Sequence, residues 1–226
     1  MRRIFFAGAL ALLSLGCSRS PQVSFYTLEP LAPSLASPRP AAAPPAAETP
    51  ARRLPGRPVP APLPAAPPVS SGAEPRVAVG PVTLPELVDR PQLVVRLAGN
   101  RVEILEQQRW AEPLKGGIAR VVAADLGRLL GPGRAFSYQE HAGVSADYRL
   151  LLDVERFEAQ PGQGVSLEVA WTLRGAAEST PRTGSVRLDE TAGEGYDSLV
   201  AAFSRALSTL SQKIADAIMK APAPPP

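Results

Sequence analysis

The sequence predicts one α+β domain: a mixed, largely antiparallel sheet with two main helices packed on it. Three observations predict it. Apolar and polar residues alternate through Tyr148–Val154 and Val165–Leu173, with a turn cluster at Gln160–Gly164 between them. That is the mark of antiparallel strands with one buried face. Two other segments carry apolar residues at helical spacing. One holds Ile118, Val121, Val122, Leu126 and Leu129; the other holds Leu199, Phe203, Leu207, Leu210, Ile214 and Ile218. The chain's 27 prolines concentrate outside all of these: 15 of the 46 residues from Pro30 to Pro75 are proline.

The proline clustering divides the chain. A segment built mostly from Pro, Ala, Arg and Ser has few large side chains with which to offset the entropy of ordering. Residues 30–75 are therefore expected to be a disordered insert or linker, dispensable for folding. Residues 76–220 suffice for one proper core, and 221–226 form a short tail. The pI of 9.3 does not describe the domain. Residues 76–226 carry 17 basic and 18 acidic side chains, whereas residues 1–75 carry 7 basic and 3 acidic ones. A domain without basic excess lacks the electrostatic footprint of a nucleic-acid binder, so no nucleic-acid partner is expected.

The N-terminus reads as a targeting segment. Arg2 and Arg3 precede a mostly apolar run of 12 residues, Ile4 to Leu15. A bilayer span takes about 20 residues, so this run suits a secretory signal instead. It ends in Leu13-Ser14-Leu15-Gly16-Cys17, which resembles a bacterial lipobox with Ser14 where Leu is usual. Cys17 is the single cysteine and has no partner for an internal disulfide. Residues 1–16 are read as a lipoprotein signal peptide and Cys17 as the acylated membrane anchor. Ser18 follows it, not Asp; by resemblance to lipoprotein sorting in Gram-negative bacteria, this favours the outer membrane. Residues 17–29 then contain Val23–Leu28, a β-rich stretch expected to pair into the sheet as a first strand.

Within the domain, Val77 and Val79 open a strand that Pro81 and Pro85 are expected to stop. Leu84 to Asp89 reads as a helical turn. Leu93, Val95 and Leu97 share one face of the next strand. Gly99-Asn100 reads as a two-residue hairpin turn, with Val102 and Ile104 pointing inward on the return strand. Pro113 suits the first helical position, where its missing N–H costs nothing. Gly131-Pro132-Gly133 ends that helix. Gly116 and Gly117 weaken its first turns unless close packing requires them. A short strand around Phe136 and Tyr138 and a strand over Thr183–Asp189 complete the sheet. The last helix ends near Lys220.

No catalytic constellation is legible. His141 is the only histidine and lies in a polar loop without Cys or His neighbours, so neither a metal nor a base role is expected of it. The Gly116-Gly117 pair is not followed by the Lys-Ser/Thr of a phosphate loop. Lys115, Lys213 and Lys220 fall on helices with no serine motif beside them. Neither enzymatic activity nor a cofactor is expected. Function is expected from location and binding.

The stretch Gly80-Pro81-Val82 through Leu84-Pro85, then Asp89-Arg90-Pro91-Gln92, Arg96, Asn100-Arg101 and Arg109-Trp110-Ala111-Glu112-Pro113-Leu114 resembles the PqiC-like lipoproteins, the ABC-type transport auxiliary lipoproteins. A lipidation Cys followed by Phe25-Tyr26-Thr27-Leu28 fits as well, as do Trp171-Thr172-Leu173 and the helix after Tyr196. The insert from Pro30 to Pro75 departs from the family. The resemblance implies a non-enzymatic lipoprotein of the outer membrane that faces the periplasm. It implies a homo-oligomeric ring and an MCE-domain partner in a lipid transport system that supports envelope integrity. Pro81, Arg90, Pro91, Arg96 and Glu112 are the candidate interaction residues. Trp110, Pro113 and Trp171 are the candidate anchors of packing. For the charged residues two readings stand: solvated charges at a strand edge, or Asp89, Arg96 and Glu112 pairing across subunits. The rival function is a structural envelope lipoprotein with a proline-rich arm and no part in transport.

Overall fold

The computed structural model describes residues 22–30, 76–138, 145–175 and 180–220. The signal segment, Cys17, the proline-rich stretch beyond Pro30, His141 and the C-terminal tail lie outside the described residues.

The elements in chain order are β1 (Ser24–Tyr26), β2 (Val77–Thr83), β3 (Gln92–Arg96), β4 (Val102–Trp110), α1 (Leu114–Leu130), β5 (Ala135–Ser137), β6 (Tyr148–Gln160), β7 (Gly164–Gly175), β8 (Arg182–Thr191) and α2 (Tyr196–Met219). The eight strands of the described residues join one sheet built around β6. One edge of β6 pairs with antiparallel β7, which pairs in turn with β8. The other edge is shared. Its first half runs parallel to β2, and Ala159 near its end pairs with Val95 of β3. Beyond β2 lies parallel β5; beyond β3 lie antiparallel β4 and then parallel β1. The expected meander is thus present, extended by short parallel pairings, and the fold is α+β.

The helices pack on one face of the sheet and on each other. Their apolar stripes meet inward residues of the long strands. Leu126, Leu150, Leu167, Leu207, Leu210 and Ile214 are fully buried there. An aromatic stack runs through this layer. The rings of Phe157 and Phe203 lie parallel at 3.8 Å, and Trp110 meets Phe157 edge-on at 6.1 Å. Trp171, the second expected anchor, lies over Gly184 on β8, its register partner, where a Cβ would collide with the indole. α2 also carries buried serines. Ser204 and Ser211 return their hydroxyls to the carbonyls of Val200 and Leu207 one turn back, and the Ser204 oxygen also accepts from the Glu29 N–H at 3.2 Å.

Within residues 23–28, Ser24–Tyr26 pair into the sheet. β1 lies along the end of β4, and Leu28 beyond it is 2 % exposed.

Several expectations are corrected. β3 and β4 are joined by a three-residue loop, Ala98 to Asn100, because Leu97 N–H bonds the Arg101 carbonyl. One extra loop residue shifts the register by one and exchanges the faces of the return strand. Leu105 is therefore buried opposite Leu93, while Ile104 points outward at 38 % exposure. Pro81 does not stop β2. The strand passes Gly80-Pro81 through a register shift against β6 and resumes pairing at Val82. Pro113 caps α1 from outside the first turn, one residue earlier than expected, with φ −54° and ψ 126°. Leu129 is turned to solvent near the end of α1. β8 extends past the expected Thr183–Asp189 at both ends.

Candidate functional site

The residues of the central motif converge on one hollow of about 290 Å³, lined by Asp89, Arg90, Pro91, Trp110, Ala111, Glu112, Pro113 and Leu114. Two pieces of chain form it: the turn that follows β2, and the junction of β4 with α1. They are joined by backbone, since Trp110 N–H donates to the Pro91 carbonyl at 2.7 Å. Pro91 and Pro113 fix φ on either side at little entropic cost. Trp110 forms the floor, 8 % exposed and packed into the aromatic stack. The lining is mostly apolar, with three charged side chains around it.

Each charged group has a distinct situation. Lys115 Nζ reaches Asp89 Oδ2 at 2.6 Å, tying α1 to the turn. Glu112 Oε1 accepts from Arg120 Nη2 at 2.6 Å and Nε at 3.2 Å, and from the Thr27 hydroxyl at 3.3 Å. Arg120 Nη2 also donates to the Leu28 carbonyl at 2.7 Å, so this cluster latches the segment after β1 to α1. The Glu112 carboxylate lies over Gly117, where a Cβ would come within 3.4 Å of it; the second helix glycine, Gly116, faces open space. Arg90 differs from both acids. It is half-buried, and its Nε is shielded from solvent without a hydrogen-bond partner.

The structure thus gathers Arg90, Pro91, Trp110, Glu112 and Pro113 in one place. It puts Arg96 elsewhere. Arg96 lies on the face of the sheet away from the helices and grips Glu158 of β6, within the chain. There Arg156 Nη1 also reaches Glu158 at 3.2 Å, and its Nε approaches Glu168 at 3.5 Å. Arg96 holds the Glu158 carboxyl below its usual range, chiefly by this hydrogen bonding, against the opposing effect of burial. Pro81 is exposed within β2, away from the hollow. Asp89, Arg96 and Glu112 all have ion-pair partners in their own chain. Sequence reading missed Thr27, Lys115 and Arg120 as members of the cluster. Only the fold brings Thr27 within reach of Glu112, 85 residues on.

The lining holds no hydroxyl, thiol or imidazole, and both carboxylates are engaged in ion pairs. The chemistry on offer is binding: an apolar hollow with a guanidinium at its edge. Among the described residues no group of three or more His, Cys, Asp or Glu could hold a metal ion, and no helix is long and apolar enough to cross a membrane.

The sequence profile of the ABC-type transport auxiliary lipoprotein component family matches residues 59–215, from within the proline-rich stretch to the last turns of α2. The chain belongs to this family. It is therefore an auxiliary lipoprotein of ABC-type transport, of a kind held at a membrane of the cell envelope. The profile takes in every element from β2 onward and leaves out β1. Among solved structures, an uncharacterised protein is similar at 22 % identity and TM-score 0.54, over 64 % of this chain and 92 % of its own. A Xanthomonas campestris protein of the DUF330 family is similar at 19 % identity and TM-score 0.50, over 63 % of this chain and 82 % of its own. At such identities these two show the shared fold. No curated protein matches the auxiliary lipoprotein's sequence.

Proposed function

We propose that this auxiliary lipoprotein is a non-catalytic docking component, anchored through Cys17 in the outer membrane and facing the periplasm. Its partner is the MCE-domain protein of a lipid transport system, which it engages as a homo-oligomeric ring, and the assembly contributes to envelope integrity. The observation that carries the docking reading is the hollow beside Trp110. The motif residues Arg90, Pro91, Trp110, Glu112 and Pro113 line one mostly apolar depression. Prolines hold its walls, and the half-buried Arg90 stands at its edge. Interface anchors favour such sites: an apolar pocket in a rigid frame beside an arginine.

The test is capture of the MCE-domain protein by the detergent-solubilised full chain. Wild type should retain the partner, and Arg90→Glu should lose it while keeping the far-UV spectrum. The same substitution should lower the assembly mass seen by light scattering if the hollow also lies at a subunit contact. Equal retention by both proteins would remove the hollow from the docking reading. No retention by wild type would leave the structural lipoprotein without a transport role.

A further inference from the structure

We propose that the outward face of β1, with Val23 and Phe25 beside Ile104 of β4, rests on the lipid surface to which the chain is tethered. This rests on the reading of Cys17 as the anchor and adds to it an orientation of the domain.

Three observations point there. The first is alternation in the β1 segment. Tyr26 and Leu28 pack toward the core, whereas Val23 and Phe25 point the other way at 43 % and 66 % exposure. Outward positions elsewhere in the sheet are largely polar, as Thr183, Ser185, Arg187 and Asp189 on β8 and Arg149 and Asp153 on β6 show. An edge strand apolar on both sides departs from the pattern of a half-solvated sheet. The second is clustering. Phe25 pairs with Arg109, and Ile104, paired with Val94, is on the same outer face of β4. Among the described residues, three of the six exposed large apolar side chains thus belong to this one corner. Single exposed apolar residues need no explanation; a group of them does.

The third observation is where the chain leads. Residues 18–22, five in number, separate Cys17 from Val23. Six extended steps span at most about 20 Å. A domain of this size has a radius of gyration near 15 Å, so the tether is shorter than the domain is wide. The face that receives the tether is the one held toward the bilayer. Arg109, the register partner of Phe25, is paired with Glu106 at 3.4 Å, so the charge bordering the patch is balanced within the chain. Burying a few apolar side chains at the headgroup boundary is how an anchored domain adopts a fixed attitude rather than swinging freely.

The experiment uses the full chain in vesicles of phosphatidylethanolamine and phosphatidylglycerol, with a nitroxide label on introduced thiols. Phe25→Cys and Ile104→Cys probe the patch; Met219→Cys, 61 % exposed at the end of α2, is the aqueous reference. All three side chains are exposed enough for the fold to tolerate the change. Oxygen should dominate relaxation at positions 25 and 104. Collisions with a water-soluble nickel chelate should be several-fold rarer there than at position 219. The wild-type chain should take no label, because an acylated Cys17 offers no thiol. Label on wild type would defeat the anchor reading, and this inference with it. An unlabelled wild type with positions 25 and 104 as open to nickel as 219 would overturn the inference and leave the anchor standing.

Discussion

Arg96 holds Glu158 through two parallel hydrogen bonds, Nε to Oε2 at 3.0 Å and Nη2 to Oε1 at 2.6 Å. This fork joins β3 to β6 where only one residue pair, Val95 with Ala159, bridges the two strands. A bidentate pair specifies geometry as well as attraction. It therefore helps to seat the β1–β4–β3 half of the sheet on the β6–β8 half.

The pair predicts a pH dependence. The Glu158 carboxyl is held low first by the hydrogen bond from Arg96, then by the charges of Arg96 and Arg156, with burial opposing. A carboxyl with a lower pKa folded than unfolded adds stability above its unfolded value, and that stability is lost as pH falls through the folded value. Arg96→Met should therefore lower the urea midpoint at neutral pH. Its deficit should shrink below about pH 4.3, the ordinary glutamate value. A deficit that ignores pH would assign Arg96 to packing alone.

Asp125 should behave in the opposite sense. It is 4 % exposed on α1; Oδ1 accepts from Arg128 at 3.0 Å, while buried Oδ2 has no hydrogen-bond partner. Burial pushes its carboxyl up, and the nearby Arg128 only partly offsets this. A raised carboxyl costs stability above its folded value, and the cost disappears as pH falls. Asp125→Asn should raise the unfolding midpoint at neutral pH, because the amide removes the charge that burial disfavours. The gain should fade on acidification. A loss of stability at neutral pH would contradict the assignment.

Trp110 serves both the core and the hollow. Trp110→Ala should cost about 3–5 kcal/mol in chemical unfolding, the usual range for a buried aromatic. Phe203→Ala should not add to it in full, because Phe157 touches both rings. Full additivity would mean that the stack is not one packing unit.

The Arg120 cluster should act as a latch on β1. Arg120→Met removes the donors to the Leu28 carbonyl and to Glu112. Amide exchange should accelerate at Ala111, whose N–H is bonded to the Tyr26 carbonyl at 2.8 Å. Amides in the middle of α1 should keep their protection. Uniform acceleration throughout the domain would indicate global destabilisation instead.

Gly164 tests the β7–β8 pairing. Its φ is 150°, and a Cβ there would drive into the Glu190 carbonyl oxygen across the ladder. Gly164→Ala should cost about 1–3 kcal/mol, in the range of backbone-strain substitutions. An unchanged unfolding midpoint would show that the strand end yields freely.

By itself the sequence determined whatever depends on periodicity and on local punctuation. The alternation in 148–154 and 165–173 makes β6 and β7 regardless of neighbours, because a period of two leaves one face to bury. The stripe from Leu199 to Ile218 makes α2 for the same reason at a period of 3.6. Family membership was legible too, since the Arg-Pro-Gln and Trp-Ala-Glu-Pro-Leu blocks are contiguous in the chain. Tertiary structure alone decided what rests on register and on distant partners. One residue more in the loop at Gly99 turned Ile104 outward and Leu105 inward, and no local signal separates the two turns. Arg96 reads as an edge charge until β6 brings Glu158 beside it, 62 residues on. The hollow at Trp110 reads as a motif until the Pro91 carbonyl receives the Trp110 N–H. These contacts lie many residues apart in sequence, so their geometry comes from the packing of the whole sheet and not from any local segment.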